Sequence, residues 1–284
     1  MKENILQTIL DWIEENLNSP LSQDDVIKKS GYSKRHFQDL FYSCTGNTIA
    51  KYILARRLSL SATLLRLTNL SVLEISITYQ FNSQQNFSRA FKRYFKITPS
   101  AYRSCAYWDF TDYIPQHKYL TFPNLMNSER FVCLLPSENE ESVFYVDIPF
   151  ELKAKVARTG LGFKNKNKID KLKSLIKNSS EIYLNVYYRC ERTTSTKNIL
   201  AVYNFFEFTN KHETFVSTNG DRYYKFSFYG TWDEYLILSN VIYFRELPKL
   251  KAKKRDSYDI EVFNINDMKD KSNICSLDYF VPVV

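Results

Sequence analysis

Cysteine, histidine and glycine are scarce in this sequence, and their scarcity narrows the chemistry that it can carry. The five cysteines are far apart and form no C-x-x-C pair, so their spacing excludes a zinc site or a dithiol motif of that kind. Three histidines and six glycines leave no metal-ligand spacing, nucleophile elbow or glycine-rich phosphate loop. We therefore expect no cofactor, no metal and no enzymatic activity, with hydrolysis by the C-terminal region as the alternative.

Long hydrophobic runs are also missing. No apolar stretch approaches the ~20 residues that a membrane span requires, and the first residues lead directly into an amphipathic pattern. We expect neither a signal peptide nor a membrane anchor, and a cytoplasmic location.

Acidic residues are outnumbered, and the excess of positive charge is concentrated in the first third of the chain. The chain has 39 Lys and Arg against 31 Asp and Glu, a net charge of +8. Residues 1–104 contribute 14 basic and 8 acidic side chains, a net of +6, which leaves +2 for the rest. This imbalance predicts a polyanionic partner for the first third, because neutralisation of phosphates supplies much of the affinity of nucleic-acid binders.

Residues 21–46 show the pattern of a helix, a tight turn and a second helix. Ser22, followed by two aspartates, is typical of an N-cap with acids in the first turn. Gly31 provides a turn residue, Ser33 can cap the next helix, and Gly46 ends it. Apolar residues recur within that second helix at spacings of three and four, which predicts a helix-turn-helix unit with a polar outward face.

The same pattern returns in residues 71–95. Ser71 and Ser83 are the predicted N-caps of its two helices. The buried face of the second helix is marked by three residues at a spacing of four, namely Phe87, Phe91 and Phe95. The sequence therefore predicts a second helix-turn-helix unit.

A helix without breakers, over residues 48–67, joins the two units. At 1.5 Å per residue it spans about 30 Å, close to the ~34 Å between successive major grooves on one side of the duplex. We predict an all-α DNA-binding domain over residues 1–104 that reads two successive grooves. Because both reading units lie in one chain, we expect a monomer on DNA.

Four segments of this region match motifs of a known family. They are Gly31-Tyr32-Ser33-Lys34, Ala55-Arg56-Arg57-Leu58, the run FNSQQNFSRAFK over residues 81–92, and Thr98-Pro99-Ser100-Ala101-Tyr102-Arg103. They resemble the AraC/XylS transcription activators, and most closely the group of Rob, MarA and SoxS. The resemblance implies seven helices with two helix-turn-helix units, and a sequence-specific regulator that binds double-stranded promoter DNA and activates by recruiting RNA polymerase.

The resemblance also implies which side chains contact DNA, although any exposed polar residue is alternatively part of a solvated face. In the first unit the expected DNA-binding residues are Lys34, Arg35, Gln38 and Asp39. On the joining helix, Arg56 and Arg57 are expected either to bind phosphate or to pair with core acids, and Arg56 is included among the DNA-binding residues. In the second unit the expected residues are Ser83, Gln84, Gln85, Ser88, Arg89, Lys92 and Arg93.

The first recognition helix departs from the resembling group at two positions. The group commonly has Trp in place of Arg35 and Arg in place of Asp39. An aspartate cannot pair with guanine O6 and N7 as arginine does, but it can accept a hydrogen bond from cytosine N4. We expect a different sequence preference and not a loss of binding.

The C-terminal region, residues 118–284 after a linker over residues 105–117, has a different composition. Its charge is nearly balanced, and the residues after Ser104 hold 15 of the 21 Tyr and 15 of the 21 Phe. The patterns predict one helix and five strands: the helix at 234–245, and the strands at 141–152, 182–189, 198–208, 223–230 and 275–284. The region resembles the GyrI-like effector domain, which implies an α+β fold of SHS2 type around a cleft for a small amphipathic effector.

The aromatic residues of this region are either ordinary core or part of a ligand site. The candidate ligand-binding residues are Tyr229, Trp232, Glu234 and Tyr235, with Glu234 as the acid for a cationic ligand. The alternative is a domain that binds a protein and takes no small ligand.

Overall fold

The fold was analysed in a computed structural model of the chain. It describes residues 2–115, 126–132, 144–149, 166–178, 181–190, 198–208, 222–268 and 272–284.

The first region is all-helical, as predicted. Its seven helices are α1 (Lys2–Glu15), α2 (Gln23–Ser30), α3 (Lys34–Thr45), α4 (Ile49–Leu67), α5 (Val72–Thr78), α6 (Gln84–Phe95) and α7 (Pro99–Arg103). Helices α2 and α3 form one helix-turn-helix unit, and α5 and α6 form the other. The two predicted units are therefore confirmed.

Capping side chains begin the first helix of each unit. Ser22 accepts a hydrogen bond from the Asp25 backbone nitrogen while the Asp25 carboxylate accepts from the Ser22 nitrogen, and Ser71 and Glu74 form the same reciprocal pair. Such a capping box satisfies backbone donors that the first helical turn leaves unpaired. Ser33 occupies the N-cap position of α3, as predicted, but its side chain makes no capping hydrogen bond.

Helix α4 is the common support of both units. Its 19 residues span about 28 Å, and only Ala50 and Lys51 in its first turn are fully exposed. Leucines alternate with small residues along its second half. There the hydroxyls of Ser61 and Thr63 donate hydrogen bonds to backbone carbonyls of α4 one turn earlier. Neighbouring helices therefore pack around α4 on nearly every side.

The second region combines one antiparallel sheet with helices, which confirms the α+β class. Its strands are β1 (Tyr107–Asp109), β2 (Met126–Val132), β3 (Phe144–Pro149), β4 (Glu181–Cys190), β5 (Asn198–Phe208), β6 (Arg222–Thr231), β7 (Lys253–Arg255), β8 (Asp259–Phe263) and β9 (Ile274–Val283). The neighbours run β1-β7-β9-β8-β4-β5-β3, and β6 pairs with both β9 and β2. The ends of the predicted strand at 141–152 lie outside the described residues.

Short helices cover this sheet. They are α8 (Lys166–Asn178), α9 (Trp232–Val241), a π-helical turn (Ile242–Glu246), α10 (Leu247–Lys249) and α11 (Ile265–Met268). Helix α9 packs on β6 and β9, and α8 packs on β4. Thr231 and Glu234 form the capping box that begins α9 directly after β6.

The predicted linker contains packed structure. Within it, the connecting segment (residues 107–114) begins with β1, which pairs with β7 of the C-terminal sheet. Three of its aromatic side chains are buried: Trp108, Phe110 and Tyr113. The connection between the two regions is therefore part of the core, while residues 116–117 lie outside the described residues.

Candidate DNA-binding surface

The two recognition helices, α3 and α6, repeat one another at an interval of 50 residues. The fully buried Phe37 and Phe41 of α3 correspond to Phe87 and Phe91 of α6. The ring of Phe41 meets Tyr52 edge to face, and the ring of Phe91 meets Tyr102 in the same way. Because the buried faces match, the outward faces match position for position as well.

The ends of these helices also match in backbone conformation. Gly46 follows α3 with a φ of 68°, and Lys96 follows α6 with the same φ of 68°. A left-handed residue at this place closes a helix, and glycine adopts it with least strain. Thr48 and Thr98 then cap the helix that follows each unit, α4 and α7 respectively.

The expected DNA contacts of the second unit lie on the outward face of α6. Two of them, Ser83 and Ser88, are half-buried, and the Ser83 hydroxyl accepts a hydrogen bond from the Asn86 nitrogen. The others are exposed, namely Gln84, Gln85, Arg89, Lys92 and Arg93. This face therefore carries three cations and no acid.

The outward face of α3 carries less positive charge. Arg35 and Asp39 are exposed and Gln38 is half-buried. Lys34 pairs with Asp24 of α2 at 3.2 Å, with both side chains largely in water. Because Asp39 and Asp24 offset the two cations, this unit has little charge left with which to neutralise phosphate.

Arg56 does not belong to the DNA-binding surface, and its sequence-based assignment is corrected. Its side chain is 5% exposed and donates two hydrogen bonds of 2.8 Å to the Glu14 carboxylate. Burial alone would lower the pKa of Arg56, but the adjacent carboxylate outweighs it and raises the pKa above the ordinary value. A guanidinium enclosed in this way cannot reach a phosphate. Arg57 likewise donates to chain carbonyls, those of Leu17 and Ser19.

One exposed side chain on this surface was missed from the sequence. Tyr42 is 58% exposed and lies one turn beyond Gln38 and Asp39 on α3. The 50-residue repeat pairs it with Lys92 of α6. Alignment of the two units against each other would have revealed it.

The four candidate ligand residues fall in different environments. Trp232 and Tyr235 are buried with their rings edge to face at 5.7 Å, whereas Tyr229 is 38% exposed on β6. The Glu234 carboxylate accepts a hydrogen bond of 2.7 Å from the Thr231 nitrogen, so it is engaged in the cap of α9. The acid that contacts Tyr235 is Glu261 of β8, which accepts a hydrogen bond from the Tyr235 hydroxyl.

A second buried acid lies two residues earlier on β8. Asp259 accepts hydrogen bonds from Tyr243 at 2.6 Å and Tyr279 at 2.7 Å, and Lys254 lies 3.3 Å from its other oxygen. Burial raises the pKa of Asp259, and Lys254 opposes that shift. The carboxylate ties the π-helical turn to the sheet, because Tyr243 belongs to that turn.

In the part of the chain that the structure describes, no three His, Cys, Asp or Glu side chains are grouped as a metal site. None of the described helices is long and apolar enough to cross a membrane.

Two recognition helices of matching shape, held by one buried helix, define a DNA-binding protein of the double helix-turn-helix class. A family model described as a helix-turn-helix domain matches residues 26–104. The F1 operon positive regulatory protein of Yersinia pestis is 30% identical over 286 aligned residues, which cover 100% of this chain and 89% of that relative. The chain therefore belongs to the AraC/XylS family of DNA-binding transcription regulators.

Other relatives match a smaller share of the chain. The Transposon Tn10 TetD protein of Escherichia coli is 51% identical over 105 residues, which cover 37% of this chain and 76% of that protein. The right origin-binding protein of Escherichia coli strain K12 is 45% identical over 146 residues, which cover 46% of this chain and 50% of that protein. The match to this second relative thus spans half of its length.

Proposed function

We propose that this regulator binds promoter DNA by placing α3 and α6 in two successive major grooves. The observation that carries the proposal is the 50-residue repeat of the recognition helices around α4. The length of α4, about 28 Å, is close to the ~34 Å repeat of the duplex. A single chain then covers both half-sites, and it acts as a monomer on DNA.

Position along each helix assigns the roles of the side chains. Residues near the start of a recognition helix point to base edges, and later ones lie nearer the backbone. Gln84, Gln85 and Arg89 are therefore the base readers of the second unit, since glutamine suits adenine and arginine suits guanine. Lys92 and Arg93 bind phosphates.

The first unit reads its half-site with a different set. Arg35 and Gln38 are its base readers, and Asp39 accepts from cytosine N4. Tyr42 adds a backbone contact, in which its hydroxyl donates to a phosphate and its ring covers the adjacent sugar.

Residues 1–104 form the DNA-binding domain, and residues 118–284 form a regulatory domain of GyrI-like type. The first division is supported by the family model that matches residues 26–104, and by the length of the match to TetD, whose 105 matched residues make up most of that protein. Bound beside a promoter, the chain activates transcription by recruiting RNA polymerase.

Selection of bound sequences from random DNA tests the proposal. The full chain should enrich one asymmetric site of about twenty base pairs, with affinity that falls steeply with salt. Arg89→Ala should weaken binding to that site by about tenfold or more. Lys249→Ala is the matched control, because it removes one exposed cation from the C-terminal region. Enrichment of no motif, or equal effects of the two variants, would refute the proposal.

We also propose that the C-terminal domain binds a small, partly apolar cation beside Trp232, Tyr235 and Glu261. A buried carboxylate next to aromatic rings attracts such a ligand through charge and cation–π contact. Arylalkyl amines should raise the melting temperature of the full chain, and the matching carboxylates should not. The shift should vanish in Glu261→Gln. If amines and carboxylates act alike, the domain takes no cation, and a protein partner becomes the better hypothesis.

A further inference from the structure

The connecting segment touches both regions of the molecule, and its contacts with the helical region favour the second helix-turn-helix unit. We propose that it transmits the state of the C-terminal domain to the second recognition helix, with Tyr113 as a positioning residue for α6. The inference rests on the proposed function, because it names the route by which the C-terminal domain regulates DNA binding.

On the helical side, the segment reaches the end of α6. The Tyr113 ring lies 5.9 Å from the ring of Phe95, the last residue of α6. The Tyr113 hydroxyl lies 3.1 Å from the Thr63 hydroxyl on α4, within hydrogen-bond distance. The Tyr102 hydroxyl donates to the Asp109 carbonyl at 2.9 Å. The segment thus contacts both α6 and the Tyr102 ring, which packs against Phe95 at 5.3 Å.

The same segment is fastened to α4. Ile114 accepts a hydrogen bond of 2.6 Å from Arg56 through its carbonyl and donates one of 3.1 Å to Ser59 through its nitrogen. The buried guanidinium that pairs with Glu14 therefore also holds the connecting segment. This anchor leaves the Tyr113 side chain fixed between α4 and α6.

On the other side, the segment reaches the C-terminal domain. The Trp108 indole nitrogen donates to the Tyr113 hydroxyl at 3.1 Å, and its ring lies 5.6 Å from Tyr243. Phe110 also faces Tyr243, at 6.2 Å, and its nitrogen donates to the Ala252 carbonyl. A continuous row of buried rings therefore runs from the π-helical turn to α6.

The far end of this row lies in the π-helical turn, and we infer that the C-terminal domain changes conformation there. Tyr243 belongs to the π-helical turn and donates to the buried Asp259. Single π-helical turns occur often at functional sites, because they interrupt the regular hydrogen-bond pattern of a helix. A shift of this turn moves Tyr243 against Trp108, and closely packed rings pass on such a shift instead of absorbing it.

The first recognition helix ends in different surroundings. Thr45 of α3 is the counterpart of Phe95, and its hydroxyl lies within hydrogen-bond distance of two nearby carbonyls, those of Phe41 and Asn47. A local polar bond replaces the ring that faces Tyr113 in the second unit. A change in the C-terminal domain should therefore alter the second half-site contacts and spare those of the first.

The test uses the full chain and the DNA site selected by the wild type. Tyr113→Leu removes the ring that faces Phe95, and we expect about fivefold weaker binding. In an Arg89→Ala background the same change should weaken binding less than about twofold, because the displaced contact is already gone. In an Arg35→Ala background it should keep its full fivefold effect.

A second variant starts from the C-terminal end of the row. Tyr243→Leu should reproduce the pattern of Tyr113→Leu, although it changes the other domain. Phe226→Leu is the matched control, because Phe226 is an equally buried aromatic residue on β6. It should lower the melting temperature and leave the affinity for DNA unchanged. If a leucine variant does not fold, Tyr113→Phe and Tyr243→Phe keep the rings and remove only the hydroxyls, and each should show a smaller effect of the same kind.

Equal losses in the Arg89→Ala and Arg35→Ala backgrounds would overturn the inference, because a general loss of stability affects both units. A matching loss of affinity in Phe226→Leu would overturn it as well. Failure of the wild type to select any DNA site is a different result, and it would refute the proposed function itself.

Discussion

The two helix-turn-helix units have the same shape, but they differ in the chemistry of their outward faces. Their buried phenylalanines, their left-handed closing residues and the caps Thr48 and Thr98 that follow correspond at an interval of 50 residues. On the outward faces, Arg89 and Lys92 of the second unit stand where the first unit has Asp39 and Tyr42. The buried residues determine the fold, so they are held in common, whereas the outward residues, which we propose contact DNA, are free to differ.

The helices that flank the two units, α1 and α7, also differ in how they are attached to α4. Beside the first unit, Arg56 of α4 pairs with the buried Glu14 of α1. Beside the second, Arg66 donates to the carbonyls of Arg103 and Cys105, and Arg103 donates back to that of Leu65. One attachment is a buried ion pair, and the other is a set of bonds from arginines to carbonyls.

Removal of the buried ion pair should have the largest effect. Glu14→Ala leaves the Arg56 guanidinium buried without its carboxylate, so we expect a loss of about 3–5 kcal/mol in the free energy of unfolding. Arg66→Ala removes a charged donor from part-buried hydrogen bonds to two carbonyls, so the loss in the free energy of unfolding should be smaller, about 1–3 kcal/mol. Urea denaturation of the full chain measures both. Equal losses would mean that the two attachments do not differ in strength.

Exchange of one outward residue should make the first unit read like the second. Asp39→Arg places an arginine where α6 has Arg89, so we expect the preferred base at that position to change from cytosine to guanine. The preference should correspond to about 1–3 kcal/mol. Selection from random DNA gives the result, with Arg89→Asp as the reciprocal variant. An unchanged motif would show that position 39 does not contact a base.

Substitution of Gly46 or Lys96, the left-handed residues that follow the two recognition helices, should change the free energy of unfolding by about 1 kcal/mol or less. Gly46→Ala places a side chain at a φ of 68° and should destabilise the chain by about that amount. Lys96→Gly relieves the same strain in the second unit but increases the entropy of the unfolded chain, so it should stabilise the chain by less than about 1 kcal/mol. Thermal melting measures both variants. Changes of the same sign would contradict the equivalence of the two positions.

The smallest expected effect is on DNA affinity, and its salt dependence distinguishes the neutral contact of Tyr42 from the charged contact of Lys92. Tyr42→Ala and Lys92→Ala alter equivalent positions, and each should weaken DNA binding by less than about 1.4 kcal/mol, or tenfold. Lys92→Ala should reduce the slope of log affinity against log salt by about 1, because one phosphate is no longer neutralised. Tyr42→Ala should leave that slope unchanged. A changed slope, or no loss of affinity at all, would exclude the proposed backbone contact of Tyr42.

The two helix-turn-helix units could be predicted from the sequence, but the burial of α4 and of its Arg56 could not. Phe87, Phe91 and Phe95 repeat every four residues, so helical periodicity alone separates their buried face from the outward one. Helix α4 is buried on nearly every side, so its pattern marks no outward face. The burial of Arg56 depends on Glu14, which lies 42 residues earlier, and short-range spacing does not reveal such a pair.

The C-terminal region shows the same limit. Alternating apolar residues predict its α+β class and five of its described strands, namely β3, β4, β5, β6 and β9. The strands β1, β2, β7 and β8 were not predicted, whereas Trp232 and Tyr235 do come together. The acid beside them is Glu261, on a strand 26 residues further along, whereas the nearby Glu234 caps a helix. The connecting segment was predicted only as part of a linker, because the partners of its three buried aromatic residues, on both sides, depend on tertiary packing.

The burial of α4 has a consequence for the organisation of target promoters. Because packing surrounds this helix, it holds the distance and the rotation between the two recognition helices fixed. One base pair inserted between the half-sites would turn the second by about 35°, since B-DNA completes a turn in about 10.5 base pairs. With α3 and α6 in successive grooves, as we propose, the protein sets the helical phase of the two half-sites, and the promoters that it binds should keep the same spacer.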